Sequence, residues 1–301
     1  MSRALLPALS FLLGTLASTL LSCGGEESKE LQGRAPKGAD VTAAGEPKKA
    51  VVVPGVGDYA SNPTKEKPPT PLHKALQKGN LEAAKALLEE KSTDLNAQLA
   101  DGLAPIHIAV GSGRAEMVAL LLEKGANPNL KQAAGATALQ IAIDTNRLDI
   151  VDLLLAKDAD PNAQDKDKGL GPLHLACTAP GLETAGRIAL AGKLLAKGAN
   201  IDLPMKNGAT PLHLACERDN LELATFLLDR GAKTDVRGPE GYTALHFAAA
   251  KKSKPLCELL VSRGADVNAK NDGKATPAQI AAYDQNAELF EFFQTHGAKF
   301  E

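Results

Sequence analysis

The sequence is poor in the residues on which many binding and catalytic sites depend. It has no Trp, only 3% aromatic residues and four Cys among its 301 residues. Stacking platforms for bases or sugars are therefore scarce. The formal net charge is -2, and acidic and basic residues are interleaved, so no basic stripe is present to neutralise a run of phosphates. Nucleic acid is not an expected partner.

Catalytic and metal-binding motifs are also missing. No zinc-ligand spacing, Gly-rich phosphate loop or nucleophile elbow occurs in the chain. Asp144, Asp149 and Asp152 form a carboxylate cluster by sequence, but such a cluster on an exposed helix is usually a solvated face. We therefore expect no catalytic residue, no cofactor and no metal. The 44% hydrophobic and 23% charged residues are typical of a folded, soluble body.

The N-terminal residues have the pattern of a secretory signal. A short positive start, Met1 to Arg3, precedes a Leu- and Ala-rich run over residues 4–21. A membrane-spanning helix is the alternative, because the run approaches the roughly 20 apolar residues that a bilayer requires. The sequence Leu20-Leu21-Ser22-Cys23 resembles the bacterial lipobox. The resemblance implies a signal peptide over 1–22, diacylation of Cys23 and a lipid-anchored protein in the bacterial envelope.

Residues 23–67 are expected to form a lipid-anchored, disordered linker. They are rich in Gly, Pro, Ala, Lys and Glu and have no helical or strand periodicity. Such a coil reaches roughly 35 to 40 Å. Val51-Val52-Val53 is its one apolar cluster, which either docks onto the folded part or has no role, and composition favours no role. In many bacterial lipoproteins an Asp after the lipidated Cys retains the protein in the inner membrane. Gly24 stands at this position, so the resemblance implies the outer membrane, with the folded domain periplasmic or surface-exposed.

A four-residue phrase recurs through the rest of the chain at a spacing of 33 or 34 residues, except between 171 and 210. Self-similarity at such a period indicates a repeat architecture. Its copies are Thr70-Pro71-Leu72-His73, Ala104-Pro105-Ile106-His107, Thr137-Ala138-Leu139-Gln140, Gly171-Pro172-Leu173-His174, Thr210-Pro211-Leu212-His213, Thr243-Ala244-Leu245-His246 and Thr276-Pro277-Ala278-Gln279.

Each part of the phrase has a physical reason. Thr is a preferred N-cap, Pro suits the first helical position, and Leu begins a buried stripe. A second helical run follows in each unit, and in most units it ends at a Gly, as at Gly125, Gly231 and Gly264, in the left-handed conformation that Gly tolerates. The first repeat instead has Lys91-Ser92-Thr93 at this point. Since one unit cannot bury its own apolar face, the units should stack.

These phrases resemble the ankyrin repeat over residues 68–301. The resemblance implies an all-α fold, a solenoid of about seven stacked helix-turn-helix repeats with short β-finger loops. The last repeat should act as a cap, because Phe290, Phe292, Phe293 and Phe300 concentrate there. The fourth repeat should carry an irregular insertion at about residues 178–187 between its helices.

Five of the six His share one repeat position, which raises the possibility of a metal array. The resemblance instead implies that each hydrogen-bonds the backbone of its own turn, and helices about 8 to 10 Å apart separate equivalent rings too far to share one ion. Cys177, Cys216 and Cys257 are expected to be buried small apolar residues, because stacked equivalents exceed the roughly 7 Å limit for a disulfide.

Ankyrin arrays bind partners through their finger tips and the exposed side of the first helices, a concave surface. Leu103, Leu170, Tyr242 and Tyr283 are the preferred candidates, because exposed apolar and aromatic side chains anchor interfaces, although exposed apolar residues taken singly can also mean nothing. The full set of partner-binding positions is Asp101, Leu103, Ser112, Ala136, Asp144, Lys168, Leu170, Lys206, Asn207, Glu217, Arg218, Glu240, Tyr242, Lys251, Tyr283 and Asp284.

The leading hypothesis is a non-catalytic, monomeric scaffold, tethered to the bacterial envelope by lipid, that binds an unidentified protein through this concave face. The alternatives are an inhibitor or immunity protein that occludes an envelope hydrolase or toxin, and an enzyme on an ankyrin frame. The third is disfavoured because the sequence offers no polar constellation for catalysis.

Overall fold

The computed structural model describes residues 68–299, which lie within one compact unit. The proposed signal peptide, Cys23, the linker and Phe300 lie outside the described residues. Within the described part the chain forms fourteen α-helices and no strand. A single isolated bridge, between Lys131 and Thr137, is the extent of β pairing in the described fingers.

The helices come in seven consecutive pairs, each with a first and a second helix. Their bounds are α1 Pro71–Lys78, α2 Leu81–Glu89, α3 Pro105–Gly111, α4 Ala115–Glu123, α5 Ala138–Asp144, α6 Leu148–Ala156, α7 Pro172–Thr178, α8 Thr184–Ala196, α9 Pro211–Glu217, α10 Leu221–Asp229, α11 Ala244–Ala250, α12 Lys254–Ser262, α13 Pro277–Tyr283 and α14 Ala287–Thr295. A 3₁₀ turn at Pro239–Gly241 precedes α11. The predicted all-α repeat solenoid is confirmed.

The recurring phrase starts each first helix as predicted. The Thr137 side chain accepts a hydrogen bond from the backbone N–H of Gln140, and the Thr276 side chain accepts one from Gln279. A proline opens five of the seven first helices. Gly231, at φ 91°, follows α10 in the left-handed conformation expected for a helix end.

Adjacent repeats stack by packing like helix on like helix. Each first helix contacts the first helices of the neighbouring repeats; for example, α1 contacts α3, and α3 contacts α5. Among the second helices, α4 contacts α6, and α10 contacts α12. In the first six repeats the side chains two, five and six positions after the first-helix N-cap are buried, for example Leu139, Ala142 and Ile143. The core is therefore a continuous layer shared between neighbours.

Side-chain amides connect the second-helix ends of adjacent repeats. Asn129 Oδ1 accepts a hydrogen bond from the Asp160 N–H at 2.7 Å, and Asn129 Nδ2 donates to the Asp158 carbonyl at 3.1 Å. Asn162 makes the equivalent pair of bonds to the Asn200 N–H and the Gly198 carbonyl, which follow α8. Each amide satisfies backbone groups at the start of the next repeat, which fixes the stacking register.

The fourth repeat carries the predicted insertion, but half of its residues are helical. Its second helix, α8, has 13 residues, whereas the other second helices have 9. Only residues 179–183 form the loop between α7 and α8. The expectation of an irregular loop over 178–187 is therefore wrong for its second half, where Ala185 and Arg187 are good helix formers and α8 starts one turn earlier than the length of the other second helices requires.

The C-terminal repeat closes the core with aromatic side chains. Phe293 is fully buried, Phe292 is buried beside it, and their ring centroids are 5.4 Å apart. Phe290 is half-buried. The described part of the predicted aromatic cap is thus confirmed. No helix within residues 68–299 is long and apolar enough to cross a membrane.

Candidate functional site

The fingers between repeats are joined into a row by backbone hydrogen bonds. Ala133 N–H donates to the Asp101 carbonyl at 2.7 Å, and Lys166 N–H donates to the Ala134 carbonyl at 2.9 Å. Lys206 N–H donates in the same way to the Lys168 carbonyl at 2.9 Å. The finger tips of repeats two to five are therefore held in fixed positions relative to one another, which lowers the entropy lost when a partner binds.

The buried histidines connect each repeat to the next one. Nδ1 of His107 accepts the N–H of its own N-cap residue, Ala104, at 3.0 Å. Its Nε2 lies 2.9 Å from the carbonyl oxygen of Leu130, which belongs to the following repeat. Since Nδ1 accepts, the proton is on Nε2, which donates to that carbonyl. The predicted bond within the turn is confirmed, and the bond to the next repeat is an additional finding.

His213 and His246 make the same two bonds, with Nε2 lying 3.2 Å and 3.0 Å from the carbonyls of Tyr242 and Ala275. His174 makes the first, but its buried Nε2 has no hydrogen-bond partner in the described structure. Burial lowers the pKa of His107, His174, His213 and His246 from 6.5 to about 4. These rings are neutral structural connectors.

Glutamine reproduces this arrangement in the third repeat. Gln140 Oε1 accepts the Thr137 N–H at 2.9 Å, and Gln140 Nε2 donates to the Leu170 carbonyl at 2.7 Å. An amide therefore satisfies the same acceptor and donor roles as the neutral imidazole, without a proton that titrates near neutral pH.

The three described cysteines are fully buried free thiols, as predicted. Burial raises the pKa of Cys177 and of Cys257 to about 12 and also raises that of Cys216. Thiolate, the reactive form, is therefore suppressed at neutral pH. These residues fill the core and offer no nucleophile.

The predicted partner-binding residues lie in two rows at opposite ends of the first helices. One row is on the fingers, before each first helix begins: Asp101, Leu103, Ala136, Lys168, Leu170, Lys206, Asn207, Glu240 and Tyr242. The other row is at the C-terminal end of the first helices: Ser112, Asp144, Glu217, Arg218, Lys251, Tyr283 and Asp284. A seven-residue helix, about 10 Å long, separates the rows.

Most members of the two rows are accessible. Lys206, Asn207, Glu240, Ser112, Asp144, Arg218 and Lys251 are exposed, whereas Asp101, Leu103, Ala136, Lys168, Leu170, Glu217 and Asp284 are partly exposed. Tyr283 is 50% exposed and is the one large apolar side chain of the described residues that is this open. Burial raises the pKa of the Glu217 carboxyl.

The expectation that Tyr242 faces solvent is wrong. Its side chain is only 5% exposed. The ring packs against His246 and Phe247, with centroids 5.3 Å and 5.6 Å away, and its hydroxyl bonds the Asn271 side chain. The large apolar ring is more stable against these neighbours than in water. Tyr242 therefore closes the sixth repeat and does not offer an anchor.

A row of apolar side chains that sequence reasoning missed lies between the two predicted rows. Ile108, Ile141 and Leu175 occupy the fourth position after the N-cap in repeats two, three and four, and each is half-buried. Since positions two, five and six face the core, position four points to the opposite side of the helix. We call Ile108, Ile141 and Leu175, with Leu103 and Leu170 on the fingers, the inner stripe.

The inner stripe is confined to the N-terminal half of the array. The equivalent residues of repeats five to seven, Leu214, Phe247 and Ile280, are buried. Phe247 is covered by Tyr242 and also contacts His213 at 5.6 Å. The stripe could have been found from sequence, because an apolar residue recurs at position four in six repeats.

Comparison with known families identifies the architecture. The family model for ankyrin repeats in three copies matches overlapping stretches at 56–132, 72–165, 121–193, 139–237 and 173–271. These stretches cover more than half of the chain. The chain therefore belongs to the ankyrin-repeat family.

Solved structures agree with this assignment. The ankyrin repeat domain of Bcl-3, described as a unique member of the IkappaB protein family, is 31% identical with a TM-score of 0.61 over 70% of this chain and 93% of that one. The human ASB11 ankyrin repeat domain is 27% identical with a TM-score of 0.58 over 77% of this chain and 100% of that one. No curated protein matches this chain.

Proposed function

We propose that this protein is a non-catalytic scaffold that binds a protein partner through the inner stripe, and that a lipid on Cys23 tethers it to the bacterial envelope. The observation that carries the binding proposal is the partly exposed apolar row across three adjacent repeats. Isolated exposed apolar residues are common, but a contiguous row on hydrogen-bonded elements is what an interface core requires.

The surroundings of the inner stripe define the partner further. Lys131, Lys166 and Lys206 lie exposed on the finger side, and Ser112 and Asp144 lie exposed at the helix ends. The stripe is thus an apolar centre with a polar rim, the arrangement of a specific protein interface. A partner that presents two or three apolar side chains in a row fits it best.

We expect Ile141→Glu to weaken partner capture by at least about tenfold, because a charge would be desolvated at the centre of the interface. The measurement is a pull-down from detergent-solubilised envelopes with quantified recovery. Leu153→Glu is the matched control, since Leu153 is a half-buried residue on the second helix of the same repeat. Equal capture by wild type and Ile141→Glu, with unchanged circular dichroism melts, would reject the inner stripe as the binding site.

The proposed tether rests on Cys23 in its lipobox-like context. We expect Cys23→Ala to abolish labelling by radioactive palmitate and to move the protein from the membrane to the soluble fraction, because two acyl chains stabilise membrane attachment by about 0.8 kcal/mol for each buried methylene. Equal label in wild type and variant would contradict the tether.

Occlusion of an envelope hydrolase or toxin is a narrower form of the same proposal. The captured partner's activity distinguishes the two, since loss of activity on adding the wild type but not Ile141→Glu indicates inhibition. Unchanged activity leaves the scaffold as the function of the inner stripe.

A further inference from the structure

The first repeat exposes side chains that every later repeat buries. Leu87 is half-buried, whereas its equivalents in the six later repeats, Leu121, Leu154, Leu194, Leu227, Leu260 and Phe293, are fully buried. Ala83 is half-buried, and Met117, Ile150 and Leu223 at the same position are fully buried. Pro71 is exposed, and its equivalents are all buried. Thr70, Pro71, Ala83 and Leu87 form what we call the N-terminal end face.

The position of this face in the stack explains its exposure. The side chains of the later repeats at these positions are covered by the preceding repeat, and no described residue precedes the first one. In the last repeat, at the other end of the array, different positions are exposed to solvent, including Ala282 and Gln294. The N-terminal end face is therefore the surface that a preceding repeat would cover, and an array with such a face uncovered loses one stacking interface.

The chain immediately before the face has the composition to cover it. Within Val51–Tyr59 lie four valines and a tyrosine with one charged residue, Asp58. Charged residues stand on both sides of this stretch, at Lys48-Lys49 and Lys65-Glu66-Lys67. The ankyrin family match also begins at residue 56, well before α1 starts at Pro71.

We propose that Val51–Tyr59 packs on the N-terminal end face and caps the array. Ten residues, 60–69, separate Tyr59 from Thr70, and the extended chain from one to the other spans up to about 36 Å. The face is only two helices wide, and adjacent helix axes are about 8 to 10 Å apart. The segment can therefore reach all of the face, where valine and tyrosine side chains are removed from water. Composition alone favoured no role for these valines, and the open face reverses that expectation.

Hydrogen exchange on the full chain tests the cap. Val52→Asp with Val53→Asp and Val56→Asp should make the amides of α1 and α2 exchange about tenfold faster, with α9 to α14 unchanged. Ala43→Asp with Ala44→Asp and Gly45→Asp is the matched control, because it adds the same charge just upstream. Equal exchange in α1 and α2 for wild type and the Val variant would overturn the proposal.

Cross-linking identifies the occupant. In the full chain carrying Cys23→Ser, Val52→Cys with Leu87→Cys should form a disulfide within one molecule under mild oxidation, because the native thiols are buried. Val52→Cys with Lys157→Cys, an exposed position two repeats further on, should not. A disulfide between two molecules would mean that a second copy covers the face. That outcome, or no disulfide at all, overturns the proposal.

Discussion

A variant carrying Gln in place of His107, His174, His213 and His246 should keep its free energy of unfolding as the pH falls from 6.5 toward 4. The wild type should lose most of its free energy of unfolding over the same range. The four imidazoles are neutral in the folded protein, with pKa values lowered by burial to about 4. The unfolded chain protonates them near the ordinary value of 6.5.

The sign follows from the direction of these shifts. Between pH 6.5 and 4 the unfolded state binds more protons than the folded state, so the stability contributed by the neutral rings is complete above pH 6.5 and is lost as the pH falls. At pH 5 each histidine lowers the free energy of unfolding by on the order of 2 kcal/mol relative to neutral pH. In the folded protein, Nδ1 of His107 accepts a hydrogen bond from the N–H of its N-cap residue, Ala104. Protonation of Nδ1 would place two hydrogens against each other and break this bond.

Glutamine is the appropriate replacement because Gln140 makes both bonds in the third repeat. At pH 7 we expect a loss of only about 1 kcal/mol for each site, from packing such as the contact between His213 and Phe247. Urea denaturation at pH 7, 6 and 5 measures the difference. If both proteins lose stability in parallel as the pH falls, the titrating groups are carboxylates and the histidine argument is wrong.

Repeat number, helix starts and helix ends could be predicted from sequence because each depends on local chemistry. Thr137 caps α5, Pro172 opens α7 and Gly231 follows α10 for reasons that involve only neighbouring residues. The buried state of Cys177 and Cys216 followed from their position in a helix whose core side was already known. Periodicity is sufficient for such features.

Features that depend on contacts between repeats were not predicted. Tyr242 stands on a finger and was predicted to be exposed, but its ring packs on Phe247 and its hydroxyl bonds Asn271 on the finger of the next repeat. The histidine bond from His213 to the Tyr242 carbonyl likewise crosses a repeat boundary. The inner stripe lies on the helix surface between the two predicted rows, which the binding positions implied by the family resemblance do not include. Long side chains cover neighbours that sequence spacing does not identify.

Phe293→Ala should have the largest effect of any single substitution near the C-terminal end, and its effect should be local. Phe293 is fully buried in α14 and contacts Phe292 edge-to-face. Removing a buried Phe costs about 3 to 5 kcal/mol, because the cavity is only partly filled by relaxation. The terminal repeat is stabilised by a single interface, because it has only one neighbouring repeat. We expect the free energy lost in Phe293→Ala to exceed the stabilisation from that interface.

We therefore expect the last repeat to unfold while the rest of the array stays folded, since stability in a repeat stack is a sum over adjacent contacts. Hydrogen exchange should rise throughout α13 and α14 and stay unchanged in α1 to α8. Phe226→Ala is the control: that ring is half-buried on α10, with the Arg230 guanidinium 4.7 Å from its centroid, and its loss should cost only about 1 kcal/mol. Cooperative loss of all fourteen helices in Phe293→Ala would show that the array folds as one unit, against the nearest-neighbour description on which both the terminal cap and the N-terminal end face depend.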